Sequence, residues 1–295
     1  MSSDCEASKM PYLKRGNAHL YYEDTGSGEP IVTNHGVGEN AGYWSESGVT
    51  PKLAERYRLI SMDMRAHGET FVEGEPAGFD VETMADDIGA LVDHLGLERF
   101  HLLTHATGGM VGVRYAMTRS SRLISLMLTD TGSQTRLLFP GTTEEQSEQG
   151  LELWATGFES ATYDQIVAGA KVEPGVFLAG MAQSPDAERM YSVWERILRR
   201  GDLKTIAKFL RSFYTDPDPH VDLLRQIKCP TLVLLGELDS MFIESSELMA
   251  KEIPDNRHVV MKGIGHMTAI EDTDGLLREL FDFLDCVRKT GRARR

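Results

Sequence analysis

The chain has 295 residues, 41% of them hydrophobic and 26% charged, which suits one large globular core and is too apolar for a disordered chain. Its net charge of −14 argues against nucleic acid as the main partner, because phosphate recognition needs a basic surface. Three scattered cysteines, Cys5, Cys229 and Cys286, form no close-spaced pair and no metal-ligand pattern, so neither a disulfide framework nor a metal is expected.

Residues 1–6 carry no apolar run of the kind that starts a signal peptide. No stretch approaches the ~18 uninterrupted apolar residues of a membrane span. A cytoplasmic location is the resulting expectation. The one basic run, residues 288–295, reads as a solvated, frayed tail.

In chain order, residues 19–23 read as an edge strand and 25–30 as the turn that ends it. Residues 31–34 form a short buried strand that runs into His35-Gly36-Val37-Gly38. A strand over 58–62 leads into Asp63-Met64-Arg65-Ala66-His67-Gly68. Residues 81–95 place Met84, Ile88, Leu91, Val92 and Leu95 at helical spacing. A strand over 100–104, a helix over 110–118 and a strand over 123–129 follow. Strands alternating with helices predict an α/β fold with a mostly parallel sheet and helices on both faces.

That rhythm stops after Asp130. Residues 134–226 read as helical segments broken by Gly and Pro, with helices over 145–158 and 187–198. Strand signals return at 231–235, followed by a helix over 244–253, a strand over 258–261 and an amphipathic closing helix over 275–287. The expected organisation is a core of residues 1–133 and 227–295, interrupted by a helical insertion over 134–226.

Between the strand at 100–104 and the next helix stands Leu102-Leu103-Thr104-His105-Ala106-Thr107-Gly108-Gly109-Met110. This segment resembles the nucleophile elbow of α/β-hydrolases, commonly G-x-S-x-G. Gly108 and Gly109 match the small downstream positions, and Thr104 replaces the usual upstream glycine. Aligning the glycines puts Ala106 at the tip, where the resemblance implies serine. A methyl group has no lone pair with which to attack a carbonyl. Thr107 has a hydroxyl, but moving it to the tip breaks the glycine register and puts a β-branched residue in a positive-φ turn. His105 precedes the tip and is expected to point away from the site.

The other motifs resemble the same family in the family's order. Gly236-Glu237-Leu238-Asp239 resembles its acid loop, with Asp239 as the acid and Glu237 or Asp130 as rivals. Gly263-Ile264-Gly265-His266-Met267 resembles its histidine loop. The resemblance implies that His266 takes a proton from the nucleophile while Asp239 fixes its tautomer. His35-Gly36-Val37-Gly38 resembles the family's H-G loop, which implies an oxyanion site made by the N–H groups of Val37 and Thr107. The segment 63–68 resembles the D-x-R-G-H-G signature, with Ala66 for its first glycine, and reads as structural.

In the family the insertion forms a lid, so specificity is expected there. Gly36, Trp44, Leu138, Trp154 and Trp194 are candidate substrate-binding residues, with Phe139, Phe158 and Met190 beside them. Arg136, Arg196 or Arg211 are candidates for holding a substrate carboxylate.

The resemblance implies hydrolysis of a carboxylic ester or lactone by a Ser-His-Asp mechanism, silenced by Ala106. A serine-to-alanine change in an intact site leaves this pattern. The alternatives are a lyase, C–C hydrolase or cofactor-free oxygenase using His266 and Asp239 without a nucleophile, and a ligand-binding protein on the same scaffold. No cofactor is expected. The expected partner is a small-molecule ester or lactone, with neither nucleic acid nor membrane, and a homodimer stays open.

Overall fold

The computed structural model describes residues 11–294. Cys5 and residues 1–6, where no leader is expected, lie outside them, as does Arg295. The chain opens with β1 (Tyr12–Arg15), β2 (Ala18–Gly26) and β3 (Glu29–Asn34), then two short helices, α1 (Gly42–Glu46) and α2 (Val49–Leu53). Next come β4 (Tyr57–Met62), β5 (Phe71–Val72), α3 (Val81–His94), β6 (Phe100–His105), α4 (Ala106–Arg119) and β7 (Leu123–Thr129). Helices α5 (Glu144–Ser160), α6 (Tyr163–Val172), α7 (Gly175–Gln183), α8 (Ala187–Leu198), α9 (Leu203–Phe213) and α10 (Val221–Leu224) follow without a strand among them. The sheet resumes with β8 (Thr231–Gly236), α11 (Ile243–Glu252) and β9 (Asn256–Met261), and α12 (Thr268–Glu271) and α13 (Thr273–Thr290) close the chain.

The strands form one sheet in the order β1-β2-β4-β3-β6-β7-β8-β9, with β5 paired to β2. From β4 to β9 every pairing is parallel, and the pairings of β2 are antiparallel. Parallel strands covered on both faces read as continuous apolar runs, and every residue of β6 and β8 is buried. Ile88 of α3 and Val111 of α4 belong to one apolar core, while Leu53 of α2 and Phe283 of α13 belong to a second on the other face.

The helical insertion lies between β7 and β8. Its first two helices each start with a reciprocal cap, Thr143 with Gln146 and Thr162 with Gln165, which satisfies orphan N–H donors at each start. Among the described residues no helix is long and apolar enough to cross a membrane.

Two expectations need correction. Residues 19–23 lie in β2, which pairs with β1, β4 and β5, so they form an internal strand and not an edge. The basic tail is ordered through its described part. Gly291 caps α13 at φ 68, and the buried Ala293 donates its N–H to Asp255 Oδ1 at 3.1 Å.

Candidate active site

The site begins where β6 turns into α4. Ala106, the first residue of α4, has φ 48, a left-handed conformation uncommon for a residue with a side chain. Close packing enforces this turn. Gly108 donates its N–H to His35 O at 2.9 Å, and a Cβ on Gly108 would stand 2.4 Å from that oxygen. The Thr131 hydroxyl donates to Ala106 O at 2.6 Å and pins the tip from the β7 side. Thr104 is accommodated by a missing side chain opposite it: its Cγ2 sits 2.8 Å from where a Cβ on Gly112 would be. The Thr107 hydroxyl is buried at 2.6 Å from Tyr214 Oη, so Ala106 and not Thr107 holds the tip.

His266 Nδ1 lies 2.8 Å from Asp239 Oδ2, and Asp239 Oδ1 accepts the N–H of Met241 at 3.2 Å. Asp239 is fully buried just beyond β8. The imidazole is flanked by Phe177, Phe242 and His105, with ring centroids 4.8, 5.6 and 4.8 Å away.

The rival acids are occupied elsewhere. Glu237 turns outward to Lys262 Nζ at 2.6 Å and the N–H of Gly263 at 3.0 Å. Asp130 accepts from Gly236 N–H at 2.8 Å and the Thr268 hydroxyl at 2.7 Å, bracing the acid strand against α12. Burial, with Asp239 nearby, raises its carboxyl well above the usual range. Glu271, which the motifs did not flag, accepts the N–H groups of Gly265 at 2.7 Å and Met267 at 3.0 Å. It thus clasps the histidine loop on both sides of His266.

The loop after β3 faces the elbow. His35 Nε2 accepts from Met64 N–H at 3.0 Å, so its Nδ1–H donates to Gly36 O at 2.8 Å. The segment 63–68 is a brace behind the site: Arg65 grips Asp87 with two bonds of 2.6 and 3.0 Å, and neither residue reaches the cavity. Val37 and Thr107 both line the cavity. Val37 N–H has no acceptor among the described residues, and Thr107 N–H lies in the first turn of α4, where helix geometry leaves donors unpaired. Glu39, also unflagged by the motifs, is a buried carboxyl on the same wall.

Residues 29–273 match the alpha/beta hydrolase fold family. The chain belongs to that family. A fluoroacetate dehalogenase from a Burkholderia species is 28% identical over 283 residues, 89% of each chain. A 2-hydroxy-6-oxononadienedioate/2-hydroxy-6-oxononatrienedioate hydrolase from Dechloromonas aromatica is 25% identical over 296 residues, 96% of each chain. A thermophilic esterase from Thermogutta terrifontis superposes with a TM-score of 0.77 at 25% identity, over 94% of this chain and 97% of its own. Three chemistries on one scaffold leave this α/β-hydrolase's reaction to be argued from its own site.

Its cavity, about 800 Å³, lies between the elbow and the insertion. Gly36, Phe139, Trp154, Phe158 and Trp194 line it; Trp44, Leu138 and Met190 do not. Trp44 is sealed in the core with its indole N–H donating to Asn34 O at 3.2 Å. Leu138 is 48% exposed on the outside, and Met190 packs in the core shared with α13. Phe177, which no motif marked, stacks on Trp154 at 5.5 Å and also touches His266, joining the insertion to the imidazole.

The three candidate arginines point elsewhere. Arg136 pairs with Glu144 and Glu148, Arg196 with Glu46, and Arg211 with Glu152 and Glu159. No Lys or Arg among the described residues lines the cavity, and its carboxyl groups are those of Glu39 and Glu173. Among the described residues no group of three or more His, Cys, Asp or Glu side chains is disposed to hold a metal ion.

Proposed function

We propose that the site is built to hydrolyse a neutral carboxylic ester or lactone through a Ser-His-Asp mechanism, and that Ala106 leaves this chain able to bind the acyl group but not to attack it. One observation carries the reading: Ala106 stands in the left-handed tip conformation, on a cavity wall shared with a His266 whose Nδ1 is already committed to Asp239. With serine at 106, His266 would accept the Oγ proton as the oxygen attacks the acyl carbon. It would then return that proton to the departing alcohol, and water would release the acid. The N–H groups of Val37 and Thr107 are suited to the developing oxyanion, and neither depends on the missing hydroxyl.

The retention of base, acid and donors supports reading Ala106 as a serine replaced in an otherwise intact site. We read residues 134–226 as a lid that sets specificity. The fluoroacetate and dioate substrates named for two relatives are carboxylate anions. A cavity without Lys or Arg, and with two carboxyl groups, gives such an anion no cationic side chain to pair with and favours an uncharged, apolar substrate. The test compares Ala106→Ser on the methyl ester of hexanoic acid with the same protein on the monomethyl ester of adipic acid. Faster cleavage of the neutral ester is expected; preference for the anionic one would contradict this substrate class.

A further inference from the structure

The roles above leave Glu39 unused. Its carboxyl stands beside the elbow: a Cβ built on Gly36 would lie 2.9 Å from Glu39 Oε2 and 3.1 Å from Ala106 Cβ. The side chain is buried yet faces the cavity that His266 lines from another side.

The two carboxyl oxygens have different neighbours. Oε2 accepts the Gly36 N–H at 2.6 Å. Oε1 faces His105 Nε2 at 3.6 Å. The Thr129 hydroxyl donates to Thr104 O at 3.1 Å, so its oxygen is free to accept from His105 Nδ1 at 3.2 Å. His105 therefore carries its proton on Nδ1 and turns a lone pair toward Glu39. Against that lone pair a carboxylate is repelled, and at 3.6 Å the two groups make no hydrogen bond, so the single proton of the acid is not committed to His105.

The groups around Glu39 offer it no positive charge. His105 comes from β6, Tyr43 from α1, and Tyr214 from the end of α9. His35 precedes it on its own loop, and His266 with Asp239 lies across the cavity. Burial, with His266 and His35 nearby, holds His105 well below the ordinary histidine range and thus neutral. Asp130 and Asp239 are further carboxyl groups in this region, and neither offers a counter-charge.

We propose that Glu39 is a catalytic carboxylic acid, which in its protonated form donates a hydrogen bond to the carbonyl oxygen of the bound acyl group beside the N–H groups of Val37 and Thr107. This rests on the acyl reading of the site. A neutral carboxyl can serve an oxyanion where a carboxylate would repel it. Burial pushes Glu39 up to about 8, so the donor is present at neutral pH and lost above it.

The experiment uses the alanine chain as it stands and a stable neutral probe, N-(4-nitrophenyl)hexanamide, with binding read by quenching of tryptophan fluorescence from pH 6 to 10. Affinity should hold to about pH 7 and fall about tenfold by pH 9.5, the worth of one donor turned into a repelling charge. Glu39→Gln keeps a neutral donor and should bind with a flat pH profile. In the unaltered chain, ¹³C NMR of labelled glutamate should show one carboxyl titrating near 8, a readout that survives if Glu39→Gln does not fold.

A flat profile in the unaltered chain, an unchanged fall in Glu39→Gln, or no carboxyl titrating far above the ordinary glutamate range would overturn the donor role alone. If the probe binds neither protein at any pH while the high-titrating carboxyl is present, the acyl reading fails and takes the donor role with it.

Discussion

His266 Nδ1 meets Asp239 Oδ2 at 2.8 Å, which commits one ring nitrogen to the acid and leaves Nε2 for the cavity. Glu237, two residues from Asp239 in sequence, is held outside by Lys262. In an Ala106→Ser background, Asp239→Asn should lower kcat by about 10⁴ with little change in KM, because the imidazole loses its tautomer and orientation. Glu237→Gln should leave kcat within about twofold. Steady-state kinetics on a p-nitrophenyl ester checks both.

Thr104 and Gly112 are a matched pair across β6 and α4. Gly112→Ala drives a methyl into Thr104 Cγ2 and should cost about 1–3 kcal/mol by urea unfolding. Thr104→Ser removes that methyl. The double variant should recover about 1 kcal/mol relative to the sum of the singles.

Ala66 holds φ 72 in the buried brace loop, a conformation that costs an L residue about 1–2 kcal/mol. Ala66→Gly relieves it, with part of the gain offset by the greater freedom of glycine in the unfolded chain. A net stabilisation of up to about 1 kcal/mol, or a rise in Tm of roughly 1–2 °C, is expected by thermal unfolding.

Glu39 and Asp63 also shape stability against pH. Burial raises them to about 8 and about 7, so the native state keeps both protons where the unfolded chain has released them. Their contribution is whole below the ordinary carboxylate range and is lost as pH climbs through 7 and 8. Below the ordinary histidine range the buried, neutral His35, His67 and His105 pull the other way, so the fall in urea midpoint should appear between about pH 7 and pH 8. Glu39→Gln should reduce that slope by about 1 kcal/mol per pH unit.

Most of the fold was legible because buried parallel strands and amphipathic helices write their periods plainly; α8 spans the predicted residues 187–198. The elbow, acid and histidine loops were legible because each follows a strand with characteristic small residues. Glu39 was not. An acidic residue in a glycine-rich loop reads as exposed, and its burial depends on β6 and α9, which are distant in sequence. Phe177 lay hidden in the uniformly apolar α7, where no period separates core from cavity. Trp44 misled because aromatic content does not say which side of the H-G loop a ring packs against. The arginines misled because their carboxylate partners sit on other segments, as Glu46 does for Arg196.

The proposed function holds only if position 106 lacks a hydroxyl and the rest of the site is intact. Ala106→Ser and the alanine chain, treated side by side with a fluorophosphonate probe and analysed by intact-mass spectrometry and peptide mapping, test it directly. One phosphonyl adduct is expected, on the introduced serine, with hydrolysis of short p-nitrophenyl esters by that variant and neither in the alanine chain. A serine variant that is folded yet takes up no label and cleaves no ester, or an alanine chain that turns over an ester through His266, would contradict it.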